Sequence, residues 1–200
     1  MATVGLDLIS NLSVVTAATG LAVTRARAKS WCRVDHNQDD ADIDNLIKAA
    51  TDYVQKGTYG NRQLLPATLS IKACDWWDDE LNLPLPPLSS VSSLTYLDRN
   101  GASQTVATGD YTVRTYLNQP GTIELTWLST DTVPVLYADT SWPITIQFVA
   151  GYADAASIPA NVQMAILLLV SHWYTNREAA GDAPEAVDRL LKLEGWGSYC

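Results

Sequence analysis

The stretch IPANVQMAILLLVSHWYTNRE, residues 158–178, is the most informative part of this 200-residue sequence. Pro159 can open a helix here, because the first helical position needs no backbone N–H donor. From Val162 to Tyr174 the helix would be apolar on nearly every side, which places it at the centre of a core or between subunits. We therefore predict a helix from Pro159 to about Glu178 that other elements, or other copies of the chain, must cover.

A second helical pattern lies nearer the N-terminus, where Asp39 and Asp40 can cap a helix that Gly57 ends. Its apolar residues recur with the i, i+3, i+4, i+7 spacing of one helix face. They are Ile43, Leu46, Ile47, Ala50, Tyr53 and Val54. This spacing predicts an amphipathic helix that buries one side.

Two shorter helices complete the helical part of the chain. The first follows Thr24, a capping residue, runs to about Arg33, and carries Trp31 on a face where core packing would account for it. The second runs from Pro184 to Leu193 and is again amphipathic. Its apolar face holds Val187, Leu190 and Leu191.

Between Leu65 and Tyr152 the pattern changes to short alternating runs separated by turn residues, which is typical of β-strands. The alternating apolar residues fall into about six strands. They are Leu69, Ile71 and Ala73, then Leu81, Leu83 and Leu85, then Val91 to Leu97, then Tyr111 and Val113, then Ile123, Leu125 and Trp127, and finally Ile144, Ile146 and Phe148. Asn100 and Gly101 favour the positive φ angles of a type I′ hairpin turn.

The order of helices, strands and helices predicts an α+β fold. We expect a small α-helical bundle built from the N- and C-terminal segments, with an inserted antiparallel region resembling a β-sandwich or barrel. The N-terminal helical segment would span 1–62 and the inserted β-domain 63–152. The C-terminal helices, 153–194, would pack on the N-terminal helices, and 195–200 would form a flexible tail.

Composition excludes several classes of protein. A net charge of −9 lacks the positive surface that grips a phosphate backbone, so DNA clamping is not expected. The three cysteines show no metal-ligand spacing, which favours neither a disulfide framework nor a zinc site. The most apolar run, Met164 to Val170, is far shorter than the ~20 residues that cross a bilayer. No membrane span is expected.

Residues that could carry chemistry form no specific pattern. Asp35, Asn37 and Asp39 fit the first slots of a calcium loop, but Asp40 stands where glycine is needed and Leu46 where glutamate is needed. Cys32 and His36 could form a thiol and base pair, but packing of the thiol is favoured. The carboxylates within residues 75–80 could form a glycosidase pair, but a solvated turn is favoured. We expect no catalytic residue, no cofactor and no metal.

Three longer segments share a further pattern. AKSWCRVDHNQDDADIDNLIKAATDYVQKGTYG occupies residues 28–60, PLPPLSSVSSLTYLDRNG occupies 84–101, and FVAGYADAASIPANVQMAILLLVSHWYTNREA occupies 148–179 and is followed by EAVDRLL at 185–191. In this order and spacing they resemble the head-tail connector family of tailed phages, also called adaptor or head completion proteins. The resemblance covers most of the chain.

The resemblance implies a structural virion protein rather than an enzyme. In this family a ring, usually of twelve copies, docks on the portal protein after DNA packaging and joins the filled head to the tail. The implied partners are the portal, a tail-completion (stopper) or tail-terminator protein, and other copies of the chain. DNA would pass through an acidic lumen without specific binding. The protein would be made in the host cytoplasm and end in the virion neck.

Two surfaces are candidates for these contacts. In the family the C-terminal helix and tail commonly engage the portal, which implies that role for Leu190, Leu193, Trp196 and Tyr199. Both aromatic residues lie beyond the last predicted helix, and interfaces are enriched in tryptophan and tyrosine. The apolar helix that follows Pro159 supplies the predicted subunit interface, which comprises Leu168, His172 and Trp173.

Two alternatives stay open. Another head-completion or tail-terminator protein of the virion would have the same composition. A small hydrolase or carbohydrate-binding module that uses the tryptophan-rich β region belongs to a different class, and the missing acid/base constellation argues against it.

Overall fold

A computed structural model of the chain describes residues 12–56, 61–117, 119–126, 133–176 and 183–193. In these ranges it contains four α-helices and eight β-strands, so the predicted α+β class is confirmed. The chain divides into two compact units. The β unit comprises residues 1–18 and 66–151, and the helical unit comprises residues 19–65 and 152–200.

The elements are numbered in chain order. The helices are α1 Arg25–Cys32, α2 Asp40–Lys56, α3 Ala160–Thr175 and α4 Glu185–Leu193. The strands are β1 Ser13–Thr16, β2 Ala67–Ala73, β3 Glu80–Asn82, β4 Leu88–Leu97, β5 Ser103–Thr105, β6 Tyr111–Arg114, β7 Thr122–Leu125 and β8 Ile144–Ala150. No helix in the described ranges is long and apolar enough to cross a membrane.

Local sequence signals place the helix ends. The hydroxyl of Thr24 accepts a hydrogen bond from the backbone N–H of Arg27 at 3.3 Å and so caps α1, as predicted. Arg33 ends that helix with a φ of 58°, the left-handed conformation common after a helix. Pro159 precedes α3 as its N-terminal flanking residue. One prediction here is wrong, because Trp31 is 42% exposed and packing in a core does not account for it.

The β unit contains two antiparallel sheets. The larger has the strand order β1-β2-β8-β4-β5, and the smaller has the order β3-β7-β6. One hydrophobic cluster draws side chains from both sheets, including Leu69, Ile146 and Phe148 from the larger and Leu81 and Ile123 from the smaller. Both sheets are open among the described residues, so the barrel-like alternative is not the observed architecture.

Two strands were not predicted. Strand β1 pairs antiparallel with β2 and lies within residues 1–62, where the sequence patterns predict helices but no strand. Strand β5 pairs with the end of β4. The second predicted run is shorter than expected, because Leu85 has a φ of 59° and breaks the alternation after Asn82.

The hairpin between β4 and β5 was predicted, but its turn differs from the prediction. The carbonyl of Asp98 accepts from the N–H of Gly101 at 2.7 Å. Gly101 has a φ of 78°, whereas Asn100 is not in the left-handed region, so this is not a type I′ turn. The carboxylate of Asp98 accepts from the side chain of Gln104 and from two backbone N–H groups, which lowers its pKa.

Candidate assembly surfaces

Helix α3 is the centre of the helical unit and packs against α1, α2 and α4. Seven of its residues are buried by the chain itself. They are Val162, Ala165, Ile166, Leu167, Leu169, Val170 and Trp173. Most of the apolar surface that the sequence places on this helix is therefore used to form the core of one subunit.

The three residues predicted to contact a neighbouring subunit differ in burial. Trp173 is 8% exposed, and its ring meets that of Tyr53 on α2 edge-on, with centroids 6.0 Å apart. Leu168 and His172 are only half-buried, and with Met164 they form a line at four-residue spacing along α3. Leu168 and His172 are thus available to a neighbouring copy, whereas Trp173 offers little surface.

Helix α4 carries the described part of the predicted portal contact. Val187 and Leu191 are buried in the helical unit, Leu190 is half-buried, and Leu193 is 74% exposed at the end of the helix. Leu190 and Leu193 thus keep apolar surface that a partner could cover. Trp196 and Tyr199 lie outside the described residues.

A network of charges joins α1 to α2. Arg25 donates from Nε to Oδ1 of Asp44 at 2.8 Å and pairs with Asp40 at 3.2 Å, and Lys29 donates to Asp40 at 2.7 Å. The Lys29 ammonium lowers the pKa of Asp40, and the Arg25 guanidinium lowers that of Asp44. Arg25 opposes the dipole of its own helix, and these contacts offset that cost.

The same network answers the calcium-loop interpretation. The ammonium of Lys29 donates to Oδ1 of Asn37 at 2.7 Å as well as to Asp40, so a cation of the protein already binds these oxygens. Asp39 accepts a hydrogen bond from the hydroxyl of Tyr174. Within the described residues, no three His, Cys, Asp or Glu side chains lie close enough together to hold a metal ion.

The thiol of Cys32 is not activated for catalysis. Burial raises its pKa, and a hydrogen bond with Ser171 on α3 only partly opposes that effect. A nucleophilic cysteine requires a lowered pKa and a nearby base, whereas His36 is exposed in the turn that follows α1. The helical unit thus uses Cys32 for packing between α1 and α3.

The loop carboxylates of the β unit lie beside an arginine. Asp78, Asp79, Glu80 and Glu124 line an open cleft of about 570 Å³. Arg114 on β6 pairs with Glu124 on β7 at 2.8 Å and also with Glu80 on β3. The arginine therefore ties the three strands of the small sheet together, a structural role that needs no substrate.

Comparison with protein families gives a specific match. The family model described as head completion protein matches residues 22–182, which includes α1 to α3 and seven of the eight strands. The chain belongs to the head completion protein family. This membership confirms the family that the sequence resembles and the role as a structural protein of the head-tail connector.

Other solved structures resemble this head completion protein along almost its whole length. A chain from the neck of the empty gene transfer agent (GTA) particle, computed with C6 symmetry, is 25% identical over 94% of this chain and 96% of that one, with a TM-score of 0.74. Chains from the native GTA virion and from the native neck computed with C12 symmetry are 24% and 23% identical, with TM-scores of 0.75 and 0.72 over the same shares. A search of curated proteins found no match.

Sequence reasoning missed the ionic network of this head completion protein, although its signal is visible. Arg25 and Lys29 are four residues apart, and so are Asp40 and Asp44, so each pair lies on one side of its helix. Two such rows of opposite charge on consecutive helices predict a paired face. The interpretation from sequence gives Asp40 a capping role and Asp44 a favourable position near the positive end of the helix dipole, and it pairs neither with a cation.

Proposed function

We propose that this head completion protein forms a ring in the virion neck, docks on the portal and joins the DNA-filled head to the tail. The observation that carries the proposal is the family match over residues 22–182. The similar GTA chain comes from a neck computed with C6 symmetry, which supports a ring here as well. A ring of twelve copies contains such a six-fold axis, and closure satisfies every head-to-tail contact.

The proposed contact between neighbouring copies is the half-buried side of α3. Leu168 and His172 supply most of it, and Trp173 reinforces it from the core by fixing the helix against Tyr53. Association is favourable here because a second copy removes the half-buried apolar surface of α3 from water.

The proposed portal contact begins at the end of α4. Leu193 is 74% exposed, Leu190 is half-buried, and the sequence continues with Trp196 and Tyr199. Large apolar and aromatic side chains that anchor in a partner's pocket contribute most of the binding energy at protein interfaces.

The remaining parts of the proposal concern the lumen, the tail side and the division of the chain. A net charge of −9 favours a lumen along which DNA moves without binding. A tail-completion or tail-terminator protein would bind the opposite face, and no catalytic group or cofactor takes part.

We further propose that the two sheets face each other as a sandwich inserted into the helical bundle. The chain would then divide into an N-terminal helical segment, 1–62, the inserted β-domain, 63–152, the C-terminal helices, 153–194, and a flexible tail, 195–200.

Electron microscopy of the purified protein mixed with the portal from the same particle tests this function. We expect rings on the portal with the full chain and loss of binding when the chain is truncated after Leu193. Trp31→Ala, which removes an exposed tryptophan from α1, is the matched control and should bind normally. Normal portal binding by the truncated chain would exclude Trp196 and Tyr199 from the portal contact. Rings that bind purified tails but not the portal would identify a tail terminator instead.

A further inference from the structure

The larger sheet of the β unit ends in two short strands whose outer edges have no strand partner among the described residues. Strand β1 forms one edge and β5 forms the other. All residues of both strands are exposed. An unpaired edge presents backbone N–H and C=O groups in a row, and natural sheets usually block such edges against further strands.

Neither edge carries charge or proline, two of the features that block pairing, although both strands are short. Strand β1 reads SVVT and β5 reads SQT, without charge or proline, and no charged residue occurs from Leu8 to Thr24. The one irregularity of β1 is a shift in its register with β2 between Val14 and Thr16. Two uncharged edges on a chain with a net charge of −9 are suited to pairing with another strand.

The side chains of β1 also indicate that something covers this strand. Val14 is 63% exposed and Val15 is 52% exposed. Val15 lies at the register shift with β2, where the strict alternation between faces is interrupted, so the two exposures show that both valines are uncovered by the described residues without assigning them to opposite faces. Valine favours strands because its branched side chain packs against neighbouring strands, and on one side of β1 no such neighbour occurs among the described residues.

Strand directions identify which edges can meet in a ring. All four neighbouring pairs of the sheet are antiparallel, so β1 and β5, the first and fifth strands across it, run in the same direction. Head-to-tail copies would therefore place β5 of one copy parallel to β1 of the next. Pairing of β1 with β1 would instead be two-fold and would leave each β5 edge open.

We propose that β1 of each copy pairs with β5 of the neighbouring copy, so that the sheet continues across every subunit boundary of the ring. The inference rests on the ring of the proposed function and adds a second, backbone-mediated contact to the one on α3. Main-chain pairing between sheet edges supplies affinity, and the alternate side chains supply specificity.

Disulfide trapping tests the proposal in rings assembled on the portal. Cys32, Cys74 and Cys200 are first replaced with serine. Cysteine at Val14 or Val15 is then combined with cysteine at Ser103, Gln104 or Thr105. We expect mild oxidation to give a ladder of covalent oligomers from pairs that lie on one face of the shared sheet, with alternation along β5. Rings that form normally but give no ladder from any pair would overturn the proposal.

Single-cysteine variants separate the two possible pairings. Val14→Cys or Val15→Cys alone should not cross-link within a ring, because each β1 edge meets β5. Covalent dimers from either single variant would show β1 against β1 and reject the proposal. Absence of rings from the unmodified chain would instead refute the proposed function, and this inference with it.

Charge substitutions give an independent check that needs no cross-link. Val15→Glu with Gln104→Glu places like charges on both edges and should abolish rings, because like charges on facing strands repel. Val15→Glu with Gln104→Lys makes the same number of changes but places opposite charges at each boundary, and should restore rings. Equal ring formation by both variants would count against β1–β5 pairing.

Discussion

The two units of this head completion protein distribute charge differently. The helical unit contains ten basic and twelve acidic residues, a net charge of −2, whereas the β unit contains three basic and ten acidic residues, a net charge of −7. In the helical unit, carboxylates of α2 are paired with cations of α1. The β unit keeps most of the protein's negative charge unneutralised, apart from contacts such as Arg114 with Glu80 and Glu124.

This difference indicates what each unit depends on. The helical unit gains its stability from an apolar core around α3 and from ion pairs that respond to pH. The β unit gains its stability from one shared cluster beneath two sheets, while its uncharged edges and acidic surface remain available for contacts outside the chain. Substitutions in the two units should therefore change stability through different interactions.

The largest effect is expected in the helical core. Leu169→Ala should lower the free energy of unfolding by about 2–5 kcal/mol, because Leu169 is fully buried and the deletion leaves a cavity. Leu168→Ala, the adjacent and half-buried control, should cost clearly less in the isolated subunit but weaken ring formation. Urea unfolding followed by far-UV circular dichroism measures the first effect, and electron microscopy of rings measures the second. Equal losses of stability would contradict the assigned burial.

The sequence could not distinguish these two leucines. Residues 162–174 are so uniformly apolar that the helical period, which reveals the buried side of α2, gives no direction on α3. The helix itself, its start after Pro159 and its central position could be predicted. Which side is left for another copy depends on where α1, α2 and α4 pack, and that is a tertiary property.

A smaller effect is expected in the β unit. Gly121→Ala should cost about 1–3 kcal/mol, because the added Cβ would lie 2.3 Å from Cδ2 and 2.5 Å from Cβ of Leu88 in the core cluster. Gly109→Ala is the matched control, since no atom lies within 4 Å of its added Cβ, and its stability should stay within about 0.5 kcal/mol of the parent. Thermal unfolding of both variants checks this. A Gly121→Ala protein as stable as the control would show that the Leu88 contact is not tight.

The edges of the larger sheet show another limit of sequence patterns. Strands β2, β4 and β8 could be predicted because they face a core on at least one side and alternate accordingly. Strands β1 and β5 have no buried residue, so the apolar alternation that marks a half-buried strand is absent from them. The two strands that we propose to pair with a neighbouring copy are thus the two whose sequence shows no strand pattern.

The smallest expected effect is a change in the pH dependence of stability, which arises from different carboxylates in the two units. The pKa values of Asp40 and Asp44 are lowered from their ordinary value of 3.8 in the folded helical unit. Their stabilising contribution is therefore present above about pH 3.8 and is lost as the pH falls through the lowered folded values. Asp40→Asn with Asp44→Asn should reduce stability at neutral pH and flatten this acid-side decline.

Hydrogen exchange at several pH values, measured by mass spectrometry and corrected for intrinsic rates, can follow α1 and α2 separately from β4 and β5. The control is Asp98→Asn, since the lowered pKa of Asp98 arises within the β4–β5 hairpin. We expect the double variant to change acid-side protection in α1 and α2 alone, and Asp98→Asn to change it in the hairpin alone. If Asp98→Asn altered α1 and α2 equally, the carboxylates would act through total charge rather than through their local partners.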